Sequence, residues 1–455
     1  MHQIAKLPAV LTTRRRRKAL QRSLLYVIIA LLPLGHLGTL RLFQGTRKAA
    51  TTQPIEVVLV ATIIILLIDL FRPGAQFAGR GGTWRWLLLF PAWGVSSLVY
   101  NGEYVLYLSR AQIVFASLYA ARWLAYATLY FTVSQLLLLN PRVAVRVVNG
   151  LLAGAVAFVL FGIYQATYLP NFAFMIAPRE ELHALWDLQG HRLVSTLLDP
   201  NIAAAYISVF AILAFSFYIY GFGRRWLLAF CLLSAGLVAT LSRGGVLGFL
   251  VGALALAAVA RRRRIFTAYA LGLGALIAAF PHLLPLLHHF HRLSATDFSA
   301  RTRYDDWLLA YHITSDHPIT GIGFNALGFV RRRYGAVMFG PSAFGLAGDL
   351  FLIPTLTGVI GLAIYATMIG GVCKSANRAR RLGVTRWERA LGAGVLGATT
   401  GAVVSSLFTT VLTYPQVAAA LWMLWAIVDW SAARASPLPK RPAAYAQPAI
   451  ITAAF

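Results

Sequence analysis

A guanidinium is the side-chain group best suited to hold a phosphate or diphosphate without a metal ion, because its planar fork of N–H donors matches two oxygens at once. Arg192, Arg243, Arg303 and Arg332 stand where such a grip would be useful. Arg192 precedes Asp199-Pro200-Asn201 at the start of one apolar stretch, and Arg243 sits in Leu241-Ser242-Arg243-Gly244-Gly245 between two others. Arg303 opens an amphipathic run that passes through Trp307 and Tyr311 to His312, and Arg332 is the middle of the triplet Arg331-Arg332-Arg333 further along. Together they suggest a site for a diphosphate or a carbohydrate. The alternative reading is solvated loop charges or anchors for lipid headgroups.

Proton transfer at such a site needs a titratable group within reach. His312 lies nine residues after Arg303, His317 precedes Pro318 in a turn, and Asp349 begins an apolar stretch, where a carboxylate is also an ordinary helix-end residue. No metal is expected. His288, His289 and His291 fit an interfacial segment better than a ligand set, and the adjacent Asp305 and Asp306 diverge on a helix and do not chelate jointly. Cys231 and Cys373 fall in apolar stretches and read as packing residues. Asp69, an acid near the end of an apolar run, has Arg72 close by for pairing.

The elements that must position these groups follow from composition. The chain has 455 residues, 59% hydrophobic and 12% charged, with mean hydropathy +0.69, too few polar side chains to cover a water-soluble globule of that length. A formal charge of +27 would suggest nucleic acid in a soluble protein, but the bases occur in short runs between apolar stretches, the pattern of cytoplasmic loops against anionic lipid. Membrane lipids, and no nucleic acid, are therefore the expected surroundings. Stretches near the ~20 residues of a spanning helix fall at 24–40, 55–71, 84–100, 111–138, 147–169, 201–222, 226–241, 245–260, 265–287, 351–372, 390–412 and 416–433. The expected fold is all-α: a polytopic membrane protein of about twelve transmembrane helices, with a large helical periplasmic loop between spans nine and ten.

The basic run Arg14 to Lys18 before Leu24 to Leu40 resembles a secretory signal, but no small-residue cleavage site follows, so it reads as a retained first span. An N-terminus in the cytoplasm, by the positive-inside rule, puts Arg72, Arg80, Arg85, Arg142, Arg146, Arg224, Arg225, Arg261 to Arg264 and Lys374 to Arg389 inside. Glu180, Glu181, Asp187, Asp199, Asp297, Asp305, Asp306, Asp316 and Asp349 fall outside. Arg192, Arg243, Arg303 and Arg332 also fall outside, against the rule, so each needs a local reason to be there. The layout is a basic cytoplasmic N-terminus at 1–23, spans one to nine at 24–287 with an external loop at 170–200, a periplasmic loop at 288–350, spans ten to twelve at 351–433, and a cytoplasmic tail at 434–455.

Three motifs occur in order on the expected outer side. They are His191-Arg192-Leu193-Val194-Ser195-Thr196-Leu197-Leu198-Asp199-Pro200-Asn201, then Thr240-Leu241-Ser242-Arg243-Gly244-Gly245, then Arg303 and Trp307 running into His317-Pro318-Ile319-Thr320-Gly321-Ile322-Gly323-Phe324. Gly358-Val359-Ile360-Gly361-Leu362 follows the long loop. In this order the chain resembles the O-antigen ligase and O-antigen polymerase superfamily. The resemblance implies a metal-independent glycosyltransferase of the bacterial inner membrane, without a cofactor and with both termini cytoplasmic. Its donor is an undecaprenyl-diphosphate-linked glycan at the periplasmic face, and its sugar acceptor is a second lipid-linked glycan or lipid A–core. It gives Arg192, Arg243 and Arg303 to the diphosphate, where preorganised positive charge stabilises the leaving group, with Arg332 as a further candidate.

Ligases of the superfamily carry a histidine, taken as the base, before the tenth span. Here that column falls near Ala347, in Ala347-Gly348-Asp349-Leu350, which favours a polymerase-like over a ligase-like enzyme and makes Asp349 the expected base, with His312 and His317 behind it. The competing classes are a transporter of lipid-linked sugar or another anionic solute, for which internal repeats are missing, and a non-catalytic membrane scaffold.

Overall fold

The computed structural model describes residues 7–37, 40–41, 51–71, 82–176, 191–261, 295–336 and 345–435. The expected ninth span at 265–287, the histidine stretch at 288–291, Arg72 and the tail beyond 435 lie outside the described residues. The helices are α1 (Leu7–Leu31), α2 (Pro54–Leu70), α3 (Thr83–Tyr104), α4 (Arg110–Leu139), α5 (Arg142–Tyr168), the short α6 (Phe172–Ile176) and α7 (Pro200–Ile219). They continue with α8 (Arg224–Ala239), α9 (Arg243–Val259), α10 (Ala295–Asp316), the one-turn α11 (Leu327–Val330), α12 (Asp349–Leu382), α13 (Arg386–Ser405) and α14 (Pro415–Arg434). A two-residue antiparallel pair, Leu40–Arg41 with Thr51–Thr52, is the β-structure among the described residues.

The expected spans within the described residues fall wholly or in part on these helices, and 265–287 lies outside the described residues. Among the described residues four helices, α5, α7, α12 and α14, are long and apolar enough to cross a bilayer. α9, with 17 residues, is apolar but shorter. α7 and α14 are predominantly apolar and almost wholly buried by their neighbours, as centrally placed helices must be. Elsewhere large apolar side chains face outward in helical stripes, as Val57, Val60, Ile64, Leu67 and Ile68 do on α2, a surface suited to lipid and not to water.

Local chemistry sets the helix starts. Asp199 and Ser242 cap α7 and α9 with side-chain oxygens, and Ser109–Gln112 and Thr385–Glu388 form capping boxes on α4 and α13. Two expected boundaries are corrected. The first helix runs Leu7–Leu31, taking in the basic run and stopping well before residue 40, because Pro33 and Gly35 (φ 51°) turn the chain. The expected span 390–412 ends at Ser405, and 406–414 is a loop held by polar contacts described below.

Two close approaches shape the bundle. α9 crosses α13 through Gly248 and Gly252 against Gly397 and Gly401; a Cβ on Gly252 would stand 2.6 Å from the Gly397 carbonyl oxygen, and one on Gly401 2.6 Å from that of Gly248. Small residues four apart let helix backbones touch in this way. α12 is broken at Gly358 (φ 64°), and the segment after α10 packs its backbone into the break. Ile322 N donates to Thr355 O (3.0 Å), Gly323 N to Leu356 O (2.9 Å) and Trp93 Nε1 to Thr357 O (2.9 Å), while Val359 N donates to Pro318 O (2.8 Å). A Cβ at Gly358 would lie 2.1 Å from Ile319 O, so the positive φ and the contact both demand glycine.

At the end of the bundle away from Asp349, Lys18 Nζ binds Asp69 (2.6 Å), Gln135 (2.8 Å) and Gln21 (2.9 Å). Asp69 is therefore paired with Lys18 on a neighbouring helix, while the expected partner Arg72 lies outside the described residues. Arg434 binds Glu388 at 3.1 Å at the same end.

Gly401→Leu forces a side chain into the α9–α13 contact and is expected to cost about 1–3 kcal/mol, the range for overpacking, read as a lower thermal unfolding midpoint in detergent. Gly370→Ala, at a glycine with no atom within 4 Å of a new Cβ, leaves the midpoint unchanged or raises it.

Candidate functional site

The motif 191–199 is folded into the protein and is not a free loop. Gln165 Oε1 accepts from Val194 N (3.1 Å) and Ser195 N (3.0 Å), Ser195 Oγ donates to Phe158 O (2.8 Å), and Leu193 N donates to Ala239 O (3.0 Å). This tether carries Arg192 to the turn between α8 and α9. Its Nε donates to Thr240 O (2.9 Å) and its Nη2 to Leu241 O (3.4 Å), two carbonyls left unpaired where α8 ends. The turn is locked in return: Ser242 Oγ, which caps α9 at Gly245 N, also donates to Asn201 Oδ1 (2.8 Å) at the start of α7. Arg243, the first residue of α9, is exposed beside this lock.

Arg303 approaches from α10. Its Nε donates to Phe408 O (3.2 Å) in the 406–414 loop. Burial presses the guanidinium below its usual range, the like charge of Arg243 presses it further, and Asp199 acts in the opposite sense. Asp199 is already engaged, accepting from Asn201 N (2.6 Å) and Ile202 N (3.2 Å) as the cap of α7. Arg303, Arg243 and Asp199 thus share one electrostatic neighbourhood, with Arg192 on the turn that carries Arg243, although these groups come from three separated stretches of sequence.

Asp349 has a different setting. It is fully buried, and its carboxylate accepts from Val411 N (2.7 Å), Leu412 N (2.7 Å) and the Thr413 hydroxyl. Gly348 (φ 116°) occupies the cap position before it, where a Cβ would meet Leu407 O and Ser406 O at 2.8 Å. Ala347 is clasped from α10: Trp307 Nε1 donates to its carbonyl (3.1 Å) and its N–H donates to Asp306 Oδ2 (2.9 Å). Trp307 stacks on Phe351 with ring centroids 5.1 Å apart. Asp306 also forms a buried ion pair with Arg331, whose Nη1 donates to Gly345 O (2.8 Å). Burial raises the Asp306 carboxyl above the usual carboxylate range, against which Arg331 and the Ala347 N–H act.

The other expected residues stand apart from this layer. Arg332 is exposed on the 3-10 turn Arg331–Tyr334; its neighbour Arg331 is buried, and Arg333 donates from Nη2 to Leu106 O (2.7 Å). His312 is exposed on α10, and nine residues at 1.5 Å per residue set it roughly 14 Å along the helix from Arg303. His317 closes α10, its N–H donating to Ile313 O (3.0 Å) and its carbonyl accepting from Gly321 N (2.9 Å). One histidine went unnoticed within the first apolar stretch. His36 Nε2 is 2.6 Å from the Tyr414 hydroxyl, and its backbone N–H donates to Thr196 O (2.9 Å). The signals were present as a histidine after Pro33 and Gly35, and as a Ser/Thr-rich segment ending in Tyr414-Pro415 before the last apolar run.

Asp349→Ala leaves two backbone N–H groups and a hydroxyl without an acceptor in a buried site. At about 1–3 kcal/mol for each buried group, the expected loss is about 3 kcal/mol or more, seen as a lower unfolding midpoint and faster proteolysis within 406–414; Asp349→Asn, which keeps one acceptor oxygen, loses less. Full stability with abolished turnover would instead mark Asp349 as a reacting group.

Residues 227–366, from α8 through the break in α12, match the family described as O-antigen ligase. The matched stretch holds Arg243, Arg303 and Asp349, while Arg192 precedes it. No curated protein matches the chain.

Proposed function

We propose, from the match of residues 227–366 to the O-antigen ligase family, that the chain is a metal-independent glycosyltransferase using a polyprenyl-diphosphate-linked glycan as donor. The observation that carries this reading is that Arg303 feels the like charge of Arg243 while Asp199, the carboxylate acting on it, is already spent on a helix cap. Among the described residues Asp199 is the carboxylate that acts on Arg303, and a diphosphate would add negative charge there with matching fork geometry. During transfer the sugar C1–O bond to the diphosphate breaks and a new C1–O bond forms to an acceptor hydroxyl. The leaving diphosphate gains charge as Arg303 and Arg243 face it, and Arg192 fixes the turn that presents Arg243.

The acceptor hydroxyl gives up a proton. Asp349 is sealed by its three donors, so it positions the 406–414 loop. His36, bound to Tyr414 on that loop, is the proton acceptor this reading favours. The missing histidine near Ala347 favours joining of repeat units on carrier lipid, at the periplasmic face of the inner membrane, over transfer to lipid A–core. The break in α12 is a feature that broken-helix transporters share. Here the freed carbonyls of Thr355 and Leu356 are taken by the 322–323 backbone and that of Thr357 by Trp93, which leaves none of the three to bind a solute.

Purified protein is incubated with a lipid-linked repeat unit, with and without lipid A–core and in the presence of a chelator. Ladders without the core acceptor are expected; strict dependence on the core would make the enzyme a ligase, and sensitivity to chelator would overturn the arginine mechanism. Arg303→Gln is expected to lower turnover about 10²–10³-fold, the cost of losing one preorganised donor, with Arg303→Lys intermediate. His36→Asn is expected to lower it about 10²–10⁴-fold at an unchanged unfolding midpoint; wild-type turnover in that variant would remove His36 from the reaction.

A further inference from the structure

At the opposite end of the bundle from Arg303, a cavity of about 540 Å³ is lined by Tyr220, Arg261, Arg380, Arg381, Arg386 and Arg389. These residues come from four helix ends: the close of α7, the close of α9, the close of α12 and the start of α13. The walls are built and not frayed. Arg380 is pinned by Asn377 Oδ1 (2.7 and 3.1 Å) and by Val259 O (2.8 Å) at the end of α9. Arg386 lies over the Phe222 ring (5.6 Å) and against Gly221, whose φ of 78° and lack of a Cβ admit it; a Cβ there would lie 2.1 Å from Arg386 Nη2.

Among the described residues no carboxylate answers the charge of this cavity. Arg261 and Arg381 stand close enough to repel Arg380. The acid nearest in sequence, Glu388, is buried and spent on the cap of α13 and on Arg434. Among the described residues none of the five arginines forms an ion pair with a carboxylate. The first turn of α13 adds the partial positive charge of a helix N-terminus. Beside the cavity, Leu382 and Val384 are more than half exposed in the α12–α13 turn, an apolar rim set next to a cationic hollow.

We propose that this cavity binds the phosphate of an anionic phospholipid headgroup, with the Leu382 and Val384 rim lying against the acyl region. Forked guanidiniums take the phosphate oxygens, and basic hollows between helix ends are suited to such headgroups. A soluble phosphate compound offers the same anion without the acyl chains, so the two sources separate by experiment. The site is remote from Arg303 and independent of the transfer reaction.

Full-length protein in detergent is titrated with dioctanoyl phosphatidylglycerol, dioctanoyl phosphatidylcholine and inorganic pyrophosphate, with binding read by native mass spectrometry. The expected result is at least tenfold tighter binding of the glycerol lipid than the choline lipid. The exposed pair Arg381→Gln/Arg389→Gln weakens it roughly thirtyfold, from about fivefold per arginine. The control pair Arg142→Gln/Arg146→Gln, exposed at the same end but outside the cavity, leaves it unchanged. Pyrophosphate binding lost in the cavity variant, with no preference between the lipids, would keep a phosphate site but overturn the headgroup. Equal binding of all three probes, or equal losses in both variants, would overturn the site itself.

Discussion

A carboxylate taken wholly out of water must recover in hydrogen bonds what it loses in hydration. Asp349 recovers it from Val411 N, Leu412 N and the Thr413 hydroxyl, and the geometry of one end of the bundle follows from that need. The loop that supplies these donors also offers Phe408 O to Arg303 and the Tyr414 hydroxyl to His36. Two residues before Asp349, the backbone of Ala347 is gripped by Trp307 and Asp306, and Asp306 is neutralised by Arg331. The start of α12, the helix α10 and the α13–α14 loop are therefore held in one register. Had Asp349 been exposed, the loop would have had no reason to fold inward, and Arg303 would have had no carbonyl to lean on.

The motif His317 to Phe324 serves the same end of the molecule by mending a broken helix. Interrupting α12 at Gly358 frees backbone groups in an apolar setting, where each unpaired one is costly. The segment after α10 supplies partners for them and so ties α10 to α12 and, through Ser97 and Asn101, to α3. The glycines at 321, 323 and 358 are needed because the backbones meet at distances where a Cβ would collide. The glycines of this motif let its backbone pack against α12 and α3.

Electrostatics divides the bundle into two unlike ends. Around Arg303, backbone carbonyls hold Arg192 and Arg303, which restrains both forks, and Asp199, the carboxylate that acts on Arg303, is engaged as a helix cap. At the other end five arginines gather where three helices stop and one begins, and the carboxylate closest in sequence is engaged elsewhere. Both arrangements invite an anion. They differ in that the first is threaded through the hydrogen-bonded layer about Asp349, whereas the second borders an exposed apolar turn.

Apolar run length and capping chemistry were enough to place most helices, because a helix in lipid satisfies its own backbone and needs little from its neighbours. The same reasoning overshot at 390–412, since Val411 and Leu412 are apolar yet are drawn into a loop by Asp349, a partner more than sixty positions away. Arg192, Arg243 and Arg303 were legible as residues out of place under the charge rule. That Arg243 and Asp199 reach Arg303, while Arg332 stays exposed on its turn and Arg331 turns inward to Asp306, was not. By itself the sequence determined the helical class, the preference for lipid and the identity of the suspect cations, all of which depend on local composition. Only the tertiary structure decided which titratable groups are sealed and which are exposed, because burial and hydrogen-bond partnership are set by segments far apart in the chain.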